Sequence, residues 1–435
     1  MSHNWLDFEI YVNDLMIQKH IPGVAVAVSS KGKVIYQKGF GYRDLHKKLP
    51  VTPETIFGIA SVTKSFTAAA IMELQQEGRL SVDDPVVEYI PELRIPGFDK
   101  MNEMNIHHLL SHTTGLPPIK RREEINRLED HLEYMSRLSV EILGKPGEYF
   151  SYSNDAFLLL GLIIERLTGR LFRRYITTRF LDRLDMVRST FSIEELMKFE
   201  NVTVPYTFNK MNDHYESHKW PSLGNYEVGG GIRSNVLDLL KYGQIYLNEK
   251  NSPIKHDVLS RMWTPAYQIL PQTFYGYALM MTPYQGVTLV EHSGGQPGVS
   301  SNFGFIPEKE LAVAVLTNAS GAPAGDIWLA AVNNVLGLPL EQKAGVEPDY
   351  GMSELESEKF IGIYESDEGG RLEIKKNGNE LTAWIEEESF KLRAADERTL
   401  VIKESEWPIP FYFDERNMPW AVFFGMRMLR KTNGK

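Results

Sequence analysis

The sequence predicts an α/β protein in which an antiparallel sheet is flanked by helices, carries an all-helical subdomain and is followed by a small antiparallel β-barrel. Two strand segments lie near the start of the chain, and three more lie between residues 287 and 316. The segments between them are mostly helical as far as about residue 200. If the first hairpin closes onto the last strands, one sheet forms, and a cleft separates it from the helical subdomain. Ligands usually bind in such clefts.

The first elements are a helix and a hairpin. Apolar side chains between residues 5 and 19 recur at the spacing of an amphipathic helix, which a Pro-Gly pair ends. Val24–Ser29 and Lys33–Phe40 indicate two strands, and the Lys-Gly pair between them indicates a tight turn. The same reasoning predicts further helices and strands at Ser61–Glu77 (a helix closed by Gly78), Ile106–Leu110 and Asp155–Leu167 (helices), Val287–Glu291, Val299–Pro307 and Leu311–Leu316 (strands), and Asp326–Val335 (a helix).

The last part of the chain predicts a separate β domain. Residues 337–351 are rich in Gly, Pro and charged residues and indicate a linker, so we assign residues 1–345 to one domain and 352–435 to another. Eight short alternating runs in the second domain predict a closed or nearly closed antiparallel barrel. These runs are Gly362–Tyr364, Arg371–Lys376, Glu380–Ile385, Ser389–Ala394, Thr399–Lys403, Pro410–Phe413, Trp420–Phe424 and Met428–Lys431.

Composition excludes several classes of function. Lys and Arg number 47 against 57 Asp and Glu, a formal charge of −10, so we expect no nucleic-acid partner. The chain has no Cys, which excludes disulfides, a thiol nucleophile and iron–sulfur clusters. Its strongest apolar stretch, Phe157–Ile164, is far shorter than the roughly 20 residues that span a bilayer. The opening MSHNWLDFEI lacks the pattern of a signal peptide, so we expect a cytoplasmic protein that does not contact membranes.

Motifs for cofactors and metals are sparse. The sequence contains no Walker A loop, no dinucleotide-binding fingerprint and no Gly-x-Ser-x-Gly elbow. Two His-x-x-x-His pairs, His108/His112 and His214/His218, could each share a helix face, but neither has an adjacent Glu placed as a base. We therefore expect hydrogen-bonded histidines, no bound metal and no cofactor.

The first motif that carries chemistry is Ser61-x-x-Lys64, the one Ser-x-x-Lys pattern that opens a predicted helix. Residues three apart share a helix face, so the Lys64 amine can reach the Ser61 hydroxyl. The positive end of the helix dipole favours a developing alkoxide there. A buried Lys64 would lose its charge more readily and could act as general base. The alternative is that Ser61 only caps the helix and Lys64 is solvated.

Two further motifs lie downstream. Tyr152 and Asn154 sit at alternate positions before an apolar helix, and an extended backbone would point both side chains the same way. The alternative is a helix cap formed by Ser153 or Asn154. Near residue 292, at the end of a predicted strand, a His-Ser-Gly-Gly run offers side-chain donors and lets a substrate backbone approach closely. A plain strand-to-loop turn is the alternative there.

The order of these three motifs resembles that of the penicillin-recognising serine hydrolases, the family of class C β-lactamases, D-Ala-D-Ala carboxypeptidases and D-aminopeptidases that includes the CubicO group. Residues 106–117 and the glycine-rich residues 229–234 look like supporting segments of that family, and the resemblance spans about residues 10–335. The C-terminal part resembles the lipocalin-like barrel of some CubicO-group peptidases. The resemblance implies a β-lactamase-like catalytic domain and a serine hydrolase that works through an acyl-enzyme.

The resemblance also assigns roles to individual residues. It makes Ser61 the nucleophile, Lys64 its activator and Tyr152 a partner in proton transfer to the leaving group. Asn154 would bind the substrate amide and brace Lys64. His292 takes the place of the Lys found in class C β-lactamases.

The same strand is implied to bind substrate through Ser293, Gly294 and Gly295, and the oxyanion hole would be the backbone N–H groups of Ser61 and Gly295. Gly230 stands where class C β-lactamases place a Tyr, which weakens the case for a dedicated β-lactamase.

We therefore expect a serine peptidase of low sequence specificity that acts on short peptides and favours D-residues. An esterase or β-lactam hydrolase using the same residues is the first alternative, and a non-catalytic peptide-binding or sensor protein is the second.

Aromatic residues in the barrel predict an interface. With strand periodicity, some of them must face outward, and an exposed apolar patch marks a contact surface. We expect a homo-oligomer in which the barrels make contacts and narrow access to Ser61. The alternative is a monomer whose barrel fills itself with these rings or binds a small apolar ligand. The residues are Trp407, Phe411, Tyr412, Phe413, Trp420, Phe423 and Phe424.

Overall fold

The computed structural model describes residues 4–248, 252–378 and 380–432. The helices of the first domain are α1 (Trp5–Gln18), α2 (Thr63–Gln76), α3 (Val86–Tyr89), α4 (Ile106–Leu110), α5 (Leu128–Ser136), α6 (Asn154–Thr168), α7 (Phe172–Ile176), α8 (Ile193–Leu196), α9 (Glu227–Gly230), α10 (Val236–Leu247), α11 (His256–Leu259) and α12 (Ala324–Leu336). Its strands are β1 (Gly23–Ser30), β2 (Lys33–Asp44), β3 (Leu49–Pro50), β4 (Phe57–Gly58), β5 (Tyr206–Asn209), β6 (His214–Ser217), β7 (Arg233–Ser234), β8 (Tyr267–Leu270), β9 (Thr273–Tyr275), β10 (Met280–Tyr284), β11 (Val287–Gln296), β12 (Val299–Ile306) and β13 (Leu311–Thr317).

One antiparallel sheet of nine strands organises this domain, in the order β3-β2-β1-β13-β12-β11-β10-β9-β8. The first hairpin pairs with the last strand, since Ala27 on β1 lies opposite Ala314 on β13. This confirms that the two ends of the domain form one sheet. The outer strands β8, β9 and β10 were not predicted from the sequence and are only three to five residues long.

Helices cover both faces of the central strands, and alternate side chains of β1 point into the two cores. Val24, Val26 and Val28 of β1 point to the face covered by α1 and α12. Ala25 and Ala27 point to the opposite face, in the core shared with α2 and α10. Small side chains on that face allow helix and sheet to approach closely, because the buried surfaces must interlock without voids. The sheet is therefore a rigid support for both neighbouring helices.

Helix α2 is the element that carries the Ser-x-x-Lys motif into this core. Every residue from Thr63 to Leu74 is buried. A helix buried on all sides lies between other elements rather than at the surface, and α2 shares its core with the apolar helix α6. Any polar side chain that α2 carries is therefore removed from bulk water.

The second domain is a closed barrel of eight antiparallel strands, as the alternating runs predicted, and β14 closes it by pairing with β21. A short helix precedes it. The elements are α13 (Glu354–Glu358), β14 (Gly362–Glu365), β15 (Arg371–Asn377), β16 (Glu380–Ile385), β17 (Glu388–Ala394), β18 (Thr399–Ile402), β19 (Trp407–Phe413), β20 (Pro419–Phe424) and β21 (Arg427–Thr432).

The outward aromatic face of the barrel packs against the first domain of the same chain. Phe423 is 5% exposed and contacts Phe150, and Trp420 lies edge-on to Tyr149. These two rings therefore pack within one chain, and assembly through the barrel stays a prediction. The packing within the chain brings the β20–β21 turn to the cleft that holds Ser61.

None of the helices in residues 4–248, 252–378 and 380–432 has the length and apolar character needed to cross a membrane.

Candidate active site

Ser61 lies in a single 3₁₀ turn, Ala60–Val62, immediately before α2 begins at Thr63. The predicted helix start is thus two residues early, but Ser61 still lies at the helix N-terminus. The preceding residue, Ala60, has a φ of 44°, in the left-handed region that non-glycine residues seldom adopt. Such strain persists only where surrounding structure enforces it, and it concentrates at functional sites. The half-buried Ser61 follows this strained residue and lies in the wall of the cleft.

Lys64 is fully buried, so the alternative of a solvated side chain is wrong. Its Nζ lies 3.4 Å from the Ser61 Oγ. It donates to the Asn154 Oδ1 at 2.8 Å and to the Gly229 carbonyl oxygen at 3.1 Å. The amine therefore contacts two obligate acceptors and one hydroxyl, which can either donate or accept.

This environment favours the neutral amine. Burial lowers the pKa of Lys64 well below its ordinary value, and the positive charges of Arg427 and Arg121 lower it further. The carboxylates of Glu368 and Asp155 act in the opposite direction and are the weaker influence. A neutral amine has two N–H groups and one lone pair. The two acceptors take the N–H groups, so the lone pair is left to accept the Ser61 proton.

Gly229 explains why the amine fits there. A Cβ added at Gly229 would lie 2.8 Å from the Lys64 Nζ, closer than such atoms approach in real structures. The family resemblance gave the glycine-rich residues 229–234 as a supporting segment. In the structure, the first of them supplies both the space for the amine and one of its acceptors.

Tyr152 lies over the same amine, with the Lys64 Nζ 4.8 Å from its ring centre. Its hydroxyl is buried, with no hydrogen-bond partner among the described residues. Burial raises the pKa of Tyr152, and the nearby Ser61 hydroxyl only partly opposes this. The phenol therefore keeps its proton at neutral pH and is free to donate it to a bound group.

The loop that carries Tyr152 is braced by His112. The Nδ1 of His112 accepts a hydrogen bond from the Ser153 N–H at 3.1 Å, and its backbone carbonyl accepts one from the Ser151 N–H at 2.9 Å. The two rings, His112 and Tyr152, lie 4.2 Å apart. Burial lowers the pKa of His112 well below its ordinary value, and a protonated Lys64 would lower it further. His112 is thus a neutral support for the loop.

Ser153 and Asn154 divide the two roles that the sequence analysis left open. The Ser153 hydroxyl caps α6 by accepting from the Ala156 N–H. Since the cap is already supplied, the Asn154 side chain is free to reach Lys64.

His292 lies on β11 with both ring nitrogens engaged. Its Nδ1 lies 2.5 Å from the Ser293 carbonyl oxygen, and its Nε2 lies 3.2 Å from the Tyr275 hydroxyl. A carbonyl only accepts, so Nδ1 donates and Nε2 accepts. Burial, reinforced by Lys64, lowers the pKa of His292 to about 3. The ring is therefore neutral, and its N–H group is directed to the protein rather than to a ligand.

The glycines of the same strand bring it against Ser61. A Cβ on Gly294 would lie 2.4 Å from the Ile59 carbonyl oxygen and 3.0 Å from the Ser61 backbone nitrogen. The position next to Gly295 is open, and Ser293 is exposed. β11 thus packs tightly on the turn that carries Ser61 at Gly294 and leaves room for a substrate at Gly295.

A cavity of about 330 Å³ joins most of these residues. Six predicted site residues line it, and Lys64 and Gly294 do not. The rest of the wall was not predicted from the sequence, and part of it comes from the barrel. The missed residues are Arg121, Tyr275, Met280, Trp407, Gly425, Met426 and Arg427.

The His-x-x-x-His pairs do not form ligand sets. His108 accepts from the Asn105 N–H, and His218 contacts the Thr207 hydroxyl. Within the described ranges, no group of three or more His, Cys, Asp or Glu side chains is arranged to hold a metal ion.

Known proteins share this architecture. The octameric penicillin-binding protein homologue from Pyrococcus abyssi is 30% identical, and the likeness covers 98% of this chain and 99% of that one, with a TM-score of 0.73. SurE is 20% identical, with a TM-score of 0.75 over 98% of both chains, which shows the fold alone.

A sequence relative is Protein flp of Staphylococcus aureus strain MRSA252, which is 39% identical over 320 residues, 69% of this chain and 60% of flp. In strain MW2 the match covers 35% of flp, so this chain spans 35% to 60% of the length of these relatives. The model of the Beta-lactamase family matches residues 8–335, three quarters of the chain. The chain therefore belongs to the Beta-lactamase family.

Proposed function

We propose that the protein is a serine peptidase of low sequence specificity that hydrolyses short peptides and favours D-residues. The observation that carries this proposal is the buried Lys64 amine, placed between the Ser61 hydroxyl and two acceptors. A binding or sensor protein has no use for that arrangement together with a buried Tyr152 hydroxyl that bonds to none of the described residues.

The reaction proceeds through an acyl-enzyme. Neutral Lys64 takes the Ser61 proton, and the Ser61 Oγ forms a bond to the substrate carbonyl carbon. The oxyanion is stabilised by the backbone N–H groups of Ser61 and Gly295. Tyr152 donates a proton to the leaving amine as the C–N bond breaks, and its own proton is restored from Lys64. Water then attacks the ester on Ser61 and releases the acid.

Two side chains bind the substrate in this scheme. The exposed Ser293 hydroxyl can donate to a substrate carbonyl, and the Asn154 amide faces the same cavity. Neutral His292 fixes the Ser293 carbonyl and the Tyr275 hydroxyl instead of neutralising a substrate charge.

We also propose that the protein acts in the cytoplasm as a homo-oligomer, with domains at residues 1–345 and 352–435. Support for the oligomer comes from the octameric Pyrococcus abyssi homologue. Phe423 and Trp420 pack within one chain, so the proposed contacts between copies would use other surfaces. Light scattering of the full-length protein tests assembly, and a monomer would contradict it.

The substrate class is tested with a panel of L- and D-aminoacyl peptides, p-nitrophenyl esters and nitrocefin, using the wild type and Ser61→Ala. We expect peptide hydrolysis by the wild type and none by Ser61→Ala, with faster turnover of D-residue peptides. Turnover of esters or nitrocefin without any peptide cleavage would favour the esterase or β-lactam hydrolase instead.

A further inference from the structure

A side chain of the barrel contacts the catalytic group from the far side. Glu368 lies in the turn between β14 and β15, and its side chain is 8% exposed. Its Oε1 accepts a hydrogen bond from the Asn154 Nδ2 at 2.8 Å. Its Oε2 accepts one from the Arg427 Nε at 2.5 Å. A continuous chain of contacts therefore runs from Arg427 through Glu368 and Asn154 to Lys64.

The chemistry of an amide makes this contact directional. The Asn154 side chain carries acceptor lone pairs on Oδ1 and two hydrogens on Nδ2, so it can face a donor on one side and an acceptor on the other. An ionised carboxylate only accepts. Glu368 therefore binds the NH₂ end and leaves Oδ1 toward the amine of Lys64. If the amide were reversed, Nδ2 would meet the Lys64 N–H groups and Oδ1 would meet the carboxylate.

Arg427 keeps Glu368 in the ionised form that this arrangement needs. Burial raises the pKa of Glu368, but the charge and hydrogen bond of Arg427, together with the bond from Asn154, outweigh it and bring the pKa below its ordinary value. Arg427 itself stacks over the Tyr152 ring, 5.2 Å from its centre. The Glu368–Arg427 ion pair is thus held by Asn154 at the carboxylate and by the Tyr152 ring at the guanidinium.

We propose that Glu368 is a positioning residue for acylation, because it sets the orientation of the Asn154 amide and thereby aims the Lys64 lone pair at Ser61. The proposal rests on the proposed function, since acylation is its readout. It makes the barrel part of the catalytic machinery: without a barrel in place, Asn154 loses the group that selects its orientation.

If Glu368 only held the barrel in place, removing its carboxylate would lower activity by detaching or unfolding the barrel. The barrel is also attached by the Tyr152 N–H to Met426 carbonyl bond, by the Met428 N–H to Ser151 hydroxyl bond and by the Phe150–Phe423 contact. These contacts do not involve Glu368, so removing its carboxylate leaves the barrel attached. A loss of activity that appears without a loss of folding then points to positioning.

The test compares Glu368→Ala, Glu368→Gln and a matched control, Glu406→Ala. Glu406 pairs with Arg393 at 2.5 Å in the same barrel, outside the cavity that contains Ser61. The readouts are kcat/KM for p-nitrophenyl acetate from about pH 5 to about pH 10 and the rate of Ser61 labelling by a fluorophosphonate probe. Circular dichroism and Tm report folding.

We expect Glu368→Ala to lower both rates by about ten- to hundredfold, the usual effect of losing a hydrogen bond to a charged group. Glu368→Gln keeps an acceptor oxygen and recovers part of that loss, while Glu406→Ala stays within about twofold of the wild type. The pH midpoint should also move down in Glu368→Ala, because one negative charge near Lys64 is gone. The other titratable or charged groups around the amine are Arg427, Arg121, Asp155, Tyr152, His112 and His292.

Equal rates in Glu368→Ala and Glu406→Ala, with both folded, would overturn the inference while leaving the proposed function intact. A wild type that neither hydrolyses p-nitrophenyl acetate nor labels at Ser61 would overturn the proposed function itself.

Discussion

The side-chain nitrogen of Lys64 lies 3.4 Å from the hydroxyl oxygen of Ser61, and no part of Lys64 is exposed to solvent. The Lys64 nitrogen also donates hydrogen bonds to the Asn154 Oδ1 and to the Gly229 carbonyl oxygen. Burial therefore does two things at once. It favours loss of the charge, and it fixes the direction in which the lone pair points.

Replacing Lys64 by Met should reduce kcat/KM for a peptide or ester by roughly a thousandfold or more, because the group that takes the Ser61 proton is lost. Met fills similar space and needs no charge, so circular dichroism should show an intact fold. A Lys64→Met variant with near wild-type kcat/KM would exclude Lys64 as the base.

The pH dependence of kcat/KM follows from the neutral amine. The active form has unprotonated Lys64, so kcat/KM should rise with pH, with its midpoint below the ordinary Lys value of 10.5 because burial lowers the pKa. Folding stability should also rise with pH in this range. The unfolded chain binds a proton that the folded one excludes, and this penalty is relieved above the unfolded pKa and grows as pH falls toward the folded pKa.

His292 provides a control for that pH profile. Its pKa of about 3 leaves it neutral throughout the measured range, so His292→Gln should not move the midpoint, whatever it does to the rate. A midpoint that shifts or disappears in His292→Gln would assign the titration to the imidazole and contradict the role of Lys64.

Replacing Tyr152 by Phe should slow peptide cleavage more than ester cleavage, by about a hundredfold on the peptide. An amine leaving group must be protonated as it departs, whereas a p-nitrophenolate need not be. The Tyr152 hydroxyl has no partner among the described residues, so removing it leaves no buried polar group without a hydrogen bond. Parallel kcat/KM measurements on both substrates decide the matter, and equal losses would remove the proton-delivery role.

The close packing of Gly229 on Lys64 gives a substitution that moves the amine without changing its chemistry. Gly229→Ala would place a Cβ 2.8 Å from the Lys64 Nζ, so we expect about a tenfold or greater fall in kcat/KM. Gly230→Ala is the matched control, since its Cβ would meet only the Leu223 Cδ1, at 3.7 Å. If both variants behave alike, the position of the amine is not what limits the reaction.

Much of the site could be predicted from the sequence because it is encoded locally. Ser61 and Lys64 lie three residues apart where α2 begins, and Tyr152 and Asn154 lie on either side of the Ser153 cap of α6. These relationships depend on helix periodicity and on cap preferences, which a sequence displays directly. The central sheet and all eight barrel runs follow from strand periodicity.

The barrel's contribution could not be predicted in this way. Glu368 lies 214 residues from Asn154, in an acidic turn of the kind that is usually solvated. Only the docking of the barrel on the first domain places Glu368 against Asn154, while its ion pair with Arg427 is made within the barrel. The short outer strands β8 to β10 were missed for a related reason, since their pairing depends on a sheet that forms elsewhere.

The location of the acyl group tests the central claim most directly. Wild type and Lys64→Met are incubated with p-nitrophenyl acetate, quenched in acid and analysed by intact-mass and peptide-mapping mass spectrometry. The account predicts one acetyl group on the peptide that contains Ser61, formed rapidly in the wild type and very slowly in Lys64→Met. Acetylation of a different residue, or equal rates at Ser61 in the two proteins, would contradict it.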